Sequence, residues 1–278
     1  MSAASLPYAV LVLLVELAIG GLAMMTVFDA RNQVTAGYVK AGALTVLPLA
    51  VLAVWTYLLL ARVDEVEGYA LASAWLRPFG VAFGAFLVID CIHTIAAMAE
   101  RHRLAVVAGT VGSVVGLGAL VCLAAWLGTP TWSTWGMFLS LLASAGVLGG
   151  SLMAMLWGHW YLTSGRLPKE PMEQMALLLV AALAVQIVLV VAGAVLPARE
   201  VPLSEGALGG LTLGQNPAFW LRVGVGLLFP VGVAYLAWKA ATIRGMMSAT
   251  GLLYIALGAI LAGEVLARGL LFSTGSAV

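Results

Sequence analysis

Few side chains in this 278-residue chain can move a proton or grip a polar ligand, and most of them sit inside long apolar runs. Glu16 interrupts the first run. Glu264 and Arg268 stand four apart in the last, so on a helix they share a face and can pair. Arg222 lies one turn into the seventh run. An ionisable group near a helix centre costs roughly 2.5–3.5 kcal/mol to insert, so each should face protein or water. Glu16, Arg222, Glu264 and Arg268 form one candidate set, a polar pocket able to exchange protons. Its plain alternative is a group of helix-tying salt bridges with snorkelling arginines. Asp90 and His93, at i and i+3, form a second set, a candidate proton relay. The plain alternative there is a satisfied buried pair. His93 and His159 are weak candidates for haem ligation, and a haem is not expected. His102, between Arg101 and Arg103, reads as a loop residue facing lipid headgroups.

The elements that position these groups follow from composition. The chain is 63% hydrophobic and 9% charged, with a net charge of +1. Ordinary soluble domains are about 45–50% apolar and about 25% charged. The balance excludes a disordered chain and a nucleic-acid binder resting on bulk positive charge. A crossing helix needs about 20 apolar residues. Stretches at 7–28, 39–61, 78–99, 104–128, 135–162, 173–197, 218–241 and 247–273 meet that length. Their continuous apolarity argues for helices rather than the alternating strands of a barrel. The expected fold is an all-α bundle of eight transmembrane helices in a single domain.

The first stretch has no basic residue before Arg31, so it reads as a retained helix rather than a signal peptide. Arg31, Lys40, Arg101, Arg103, Arg166, Lys169, Lys239 and Arg244 fall at one set of helix ends. Arg62, Arg77, Arg199, Arg222 and Arg268 fall at the other. That bias puts the first set in the cytoplasm and both termini outside. Cys91 and Cys122 have no cluster spacing, so the chain supplies no iron–sulfur ligand set, and no metal site is expected. Gly112 with Gly116, and Gly146 with Gly150, make small faces for close helix packing. Pro48 and Pro230 fall inside helices and should kink them. Trp75, Trp132, Trp135, Trp160, Trp220 and Trp238 fall near helix ends, as an interfacial belt does. No nucleophile elbow, P-loop, HExxH or dinucleotide fingerprint is present.

Three stretches carry a resemblance. The first is Pro130-Thr131-Trp132 leading into Trp135 to Leu139 and the small run Gly146 to Gly150. The second is Trp220 with Arg222. The third is Ala262-Gly263-Glu264 followed by Arg268 to Phe272. Together they resemble the eight-helix membrane-anchor subunits of DMSO-reductase-type molybdenum enzymes, with polysulfide-reductase anchors as wider relatives. Gly20-Gly21 after Glu16 fits as well. The resemblance implies a subunit of a prokaryotic cytoplasmic membrane that binds quinol or quinone. Such a subunit exchanges electrons with an iron–sulfur partner serving a molybdopterin catalytic subunit at the outer face. The anchors typically carry no haem. Glu16, Arg222, Glu264 and Arg268 supply the residue types that quinone chemistry needs.

The sequence departs from that family in one region. A histidine at the outer end of the second helix or in the next loop, and a glutamate early in the third, belong to the family pattern. Arg62 to Phe86 contains no histidine, and its acids are Asp64, Glu65 and Glu67. Two other readings therefore stand beside the anchor. One is an eight-helix transporter or proton channel with Glu16, Asp90, His93 and Gln186 along a midplane path. The other is a structural or assembly subunit without quinone chemistry.

Overall fold

The structure is a computed structural model that describes residues 4–128, 133–164, 167–195 and 213–277. Pro130, Thr131, Trp132, Arg166 and Arg199, named above, lie outside the described residues. Among the described residues, eight helices are long and apolar enough to cross a membrane. They are α1 (Leu6–Ala30), α2 (Ala36–Leu59), α3 (Leu76–Met98), α4 (His102–Leu127), α5 (Thr134–Ser164), α6 (Glu170–Val195), α7 (Pro217–Thr242) and α8 (Met246–Thr274). All eight expected spans are present, with ends moved by at most three residues where the structure describes them.

Their starts have local causes. The Thr35 hydroxyl accepts from the Tyr38 amide at 3.4 Å and opens α2. Asn216 caps α7 through the Ala218 amide at 3.0 Å, and Pro217 follows where its missing N–H is harmless. An even number of spans puts the start of α1 and the end of α8 on one side, the terminal face. The turns after α1, α3 and α7 lie on the opposite face.

α1 is the central helix, with 72% of its apolar window buried against 28–61% for the others. It packs on α2, α4, α5 and α8, while α5 also meets α6 and α8. Glycine makes the α1–α5 contact possible. A Cβ on Gly20 would stand 1.9 Å from the Ala145 carbonyl oxygen, and one on Gly149 would stand 2.1 Å from the Gly20 carbonyl carbon. Here the expected small face is displaced. Gly146 and Gly150 meet no close backbone, and the tight residue is Gly149 between them. Gly112 and Gly116 do serve as expected, seating Leu22 and Ile19 of α1.

The segment before α3 closes the terminal face. Strands β1 (Glu65–Val66) and β2 (Tyr69–Ala70) form a two-stranded hairpin. Tyr69 is buried beneath it and donates to the Leu127 carbonyl. Aromatic rings pack under that lid, Tyr8 on Trp126 and Phe272, and Phe79 on Trp126 and Tyr57. Trp75, Trp135 and Trp220 are exposed near helix ends, as a belt requires.

Candidate functional site

The four candidates of the first set converge. Glu16 comes from α1, Arg222 from α7, and Glu264 and Arg268 from α8, and none is more than 2% exposed. Arg268 Nη2 lies 2.7 Å from Glu16 Oε1 and 3.2 Å from Glu264 Oε2. Arg222 Nη2 lies 2.8 Å from Glu264 Oε1. Two cations thus face two carboxylates, and the set is formally neutral. The arginines do not snorkel toward water. Nor are Arg222 and Arg268 helix-end charges, the role in which they weigh on topology.

Two neutral residues complete the network. Gln186 of α6 donates from Nε2 to Glu264 Oε1 at 2.6 Å and to Ser144 Oγ at 3.0 Å. Ser144 of α5 also accepts from Arg268 Nη2 at 2.8 Å. Five helices therefore meet at one polar knot. Sequence reading placed Gln186 on a path with Asp90 and missed Ser144 altogether. A serine in an apolar helix gives no signal, because its hydroxyl is ordinarily absorbed by its own backbone, as Ser113 does on Gly109.

α7 is built to deliver Arg222. Between Pro217–Val223 and Phe229–Thr242 it widens into a π segment, Gly224–Leu228. Pro230 has no N–H to give the carbonyl four residues back, that of Gly226. Arg222 Nη1 approaches that carbonyl instead, at 3.4 Å. The expected disturbance at Pro230 therefore takes the form of a π segment just before it. Gly226 and Gly263 let α7 and α8 touch there, since a Cβ on Gly226 would fall 2.5 Å from the Gly263 Cα. Insertions of this kind recur at functional sites.

The network still has free valences. Glu16 Oε2, Gln186 Oε1, Arg222 Nε and Arg268 Nε are buried without a hydrogen-bond partner among the described residues. Two are acceptors as drawn and two are donors. A separate cleft of about 410 Å³ opens at the terminal face, lined by Tyr57, Arg62, Asp64, Ser73 and Arg77.

The candidates of the second set, and the other histidines, are arranged differently. Asp90 and His93 are both fully buried on α3, yet they do not hydrogen-bond to each other. His93 Nδ1 lies 2.9 Å from the Ala105 carbonyl of α4. His159 is exposed and meets the Tyr254 hydroxyl of α8 at 3.2 Å. The two histidines thus turn to different helices. His102 is no loop residue. It begins α4 and pairs with Asp29 of α1 at 3.2 Å. Cys91 and Cys122 are free thiols, each partly buried. Among the described residues no three or more His, Cys, Asp or Glu gather as a metal site. No known family, characterised protein or solved structure matches the chain, so the network must be read from its own geometry.

Proposed function

We propose that the chain is the quinone-interacting membrane-anchor subunit of a multi-subunit redox complex. One observation carries the reading. A buried knot of two carboxylates and two guanidiniums from three helices, joined by Ser144 and Gln186 from two more, keeps an acceptor at Glu16 Oε2 and donors at Arg222 Nε and Arg268 Nε without partners among the described residues. A quinone presents two carbonyl oxygens that need donors, and its reduction or re-oxidation moves two protons that need a carboxylate within reach. The knot lies within the apolar bundle, on the side from which a lipid-borne ring rather than a water-soluble substrate would have to come. In this reading Arg222 and Arg268 hold a ring oxygen, Glu16 takes or gives its proton, and Glu264 fixes both guanidiniums. The resemblance described above adds the partners. An iron–sulfur subunit and a molybdopterin catalytic subunit would dock at the terminal face, on the outside of a prokaryotic cytoplasmic membrane. They would hold the iron–sulfur ligands that Cys91 and Cys122 do not supply.

The test is the native complex. The chain, tagged and extracted with its partners, should bring down an iron–sulfur protein whose centres are reduced when quinol is added. Glu16→Gln should cut the quinol-dependent rate by roughly a hundredfold, the loss of one positioned proton acceptor, while the complex stays assembled. A preparation with no iron–sulfur partner and no quinol response would overturn the proposal.

One observation favours a second reading, a proton-conducting bundle: both oxygens of Asp90, deep in α3, lack a partner among the described residues. Proton flux through the lone chain in liposomes would select that reading over the anchor.

A further inference from the structure

The half of the bundle toward the opposite face holds buried polar groups that the knot does not use. Thr26, Asp90, His93 and Thr94 are at most 6% exposed. Among the described residues, Thr26 Oγ1, both Asp90 oxygens, His93 Nε2 and Thr94 Oγ1 lack a hydrogen-bond partner. Five such atoms on α1 and α3, two helices that both pack on α4, are unusual, because buried polar groups in native proteins are nearly all satisfied. An intramembrane carboxyl with both oxygens unbonded marks a route for protons or cations.

A line of titratable groups leads from that region to the opposite face. His102 has a half-exposed side chain and lies with Nε2 3.2 Å from Asp29 Oδ1 and 3.3 Å from the Asp29 carbonyl. Asp29 is buried one residue from the end of α1, on the same helix as Thr26 and three residues beyond it. Thr26, one turn back on α1, flanks Gly109 together with His93. A Cβ at Gly109 would fall 2.3 Å from Thr26 Oγ1 and 3.1 Å from His93 Nδ1. Asp90 lies one turn further along α3 on the stripe shared by Phe86 and His93. Above it, Ile19 of α1 and Phe86 close on Gly116. That apolar level separates Asp90 from Glu16. The line is open at the His102 end and closed at the Asp90 end.

We infer that Asp90 exchanges protons with the aqueous phase on the opposite face through His93, Asp29 and His102. The hydrogen-bond geometry sets the tautomers. His93 Nδ1 faces a carbonyl, which only accepts, so Nδ1 carries the hydrogen and Nε2 keeps its lone pair. His102 Nε2 faces two acceptors and likewise carries its hydrogen, leaving Nδ1 to take a proton from water. A proton arriving at His102 Nδ1 releases the Nε2 proton to Asp29. Asp29 passes a proton to His93 Nε2, and the resulting imidazolium passes it from Nε2 to Asp90, three residues before it on the helix, each transfer bridged by water because neither pair is hydrogen-bonded directly. Each step moves one proton between oxygen and nitrogen and leaves the donor as it began, once the His102 tautomer resets. The other charged groups at this end of α1 to α4 are Lys40 and Glu100, paired at 2.6 Å, with Arg31, Arg101 and Arg103 exposed. The bond from Lys40 holds the Glu100 carboxyl below its usual range, so this pair stays charged at neutral pH and takes no proton from the line. Cys91 adjoins Asp90 on α3.

The test uses the full chain in proteoliposomes of one orientation, followed by infrared difference spectroscopy after a pH jump. The Asp90 carboxyl band is identified by its loss in Asp90→Asn. It should follow pH on the His102 face and ignore pH on the terminal face. Asp29→Asn should slow the response on the order of a hundredfold, and Asp29→Glu should restore it. Should Asp29→Asn fail to fold, His102→Ala at the exposed end gives the same reading. A band that follows the terminal face, that ignores both substitutions, or that answers sodium at fixed pH overturns the inference. The assay contains no quinol and no partner subunit, so its outcome is independent of the anchor reading.

Discussion

Removing the Arg268 guanidinium would leave Glu16 and Glu264 buried with one cation between them. Breaking a buried ion pair from one side costs about 3–5 kcal/mol, because the remaining charge is stranded. Arg268→Ala should therefore lower the thermal midpoint sharply in detergent. Arg268→Met combined with Glu16→Gln should recover much of that loss, since the pair is then removed together. A double substitution as damaging as the sum of the singles would show that the two side chains act independently. At this scale the sequence was informative about charge. Four ionisable residues in apolar runs are rare enough to name, and they do converge. It was uninformative about the neutral members. Ser144 and Gln186 look like ordinary polar residues of a helix until five helices are assembled around them. Asp29 was hidden for another reason. It stands one residue from the end of α1, where a charge is expected to be wet, yet it is 5% exposed.

Helix ends show a similar division. Asn32, Glu100 and Arg244 each have positive φ, at 53°, 57° and 59°. Each follows a helix that ends in the same pattern. The next residue's amide reaches five back, Gln33 to Phe28, Arg101 to Ala96 and Gly245 to Ala240, at 2.8–3.0 Å. Asn32 suits the left-handed position and could be read as a stop, whereas Glu100 and Arg244 could not. The widened turn of α7 was equally hidden, because Pro230 announces a disturbance but not its form. The α1–α5 crossing gives an element-scale prediction. Gly149→Leu would drive a side chain into the Gly20 backbone, with no flexible neighbour to yield. It should abolish a folded monodisperse species on size exclusion, whereas Gly150→Ala, with open space around it, should elute as wild type.

The eight spans, at the scale of the whole molecule, were legible because the requirement for about 20 apolar residues leaves few alternatives. Their sidedness is only partly legible. With Arg222 and Arg268 buried in the knot, the terminal face keeps Arg62 and Arg77 among the described residues. The opposite face keeps Arg31, Lys40, Arg101, Arg103, Lys169, Lys239 and Arg244. Read this way the charge asymmetry is steeper than the raw count, and the prediction it makes is that the opposite face is the cytoplasmic one. In cells carrying the chain without Cys91 and Cys122, Ala4→Cys should react with an impermeant maleimide. Arg103→Cys should react only after permeabilisation. The reverse pattern would invert the topology, and with it the side from which the Asp90 line is fed. The hairpin over the terminal face was not legible, since a four-residue pairing between two spans leaves no periodic trace.

Where α1 and α5 cross, main chain lies on main chain, with no side chain left to rotate or compress. Glu16 stands one turn from that crossing on α1, and Ser144 beside it on α5. These two groups are fixed to the spine of a book. The covers are α6 and α7, the latter carrying a turn already wider than the rest of its helix. A molecule wedged into the knot would find Glu16 and Ser144 immovable, and would make room by pushing Arg222 outward on its loosened turn.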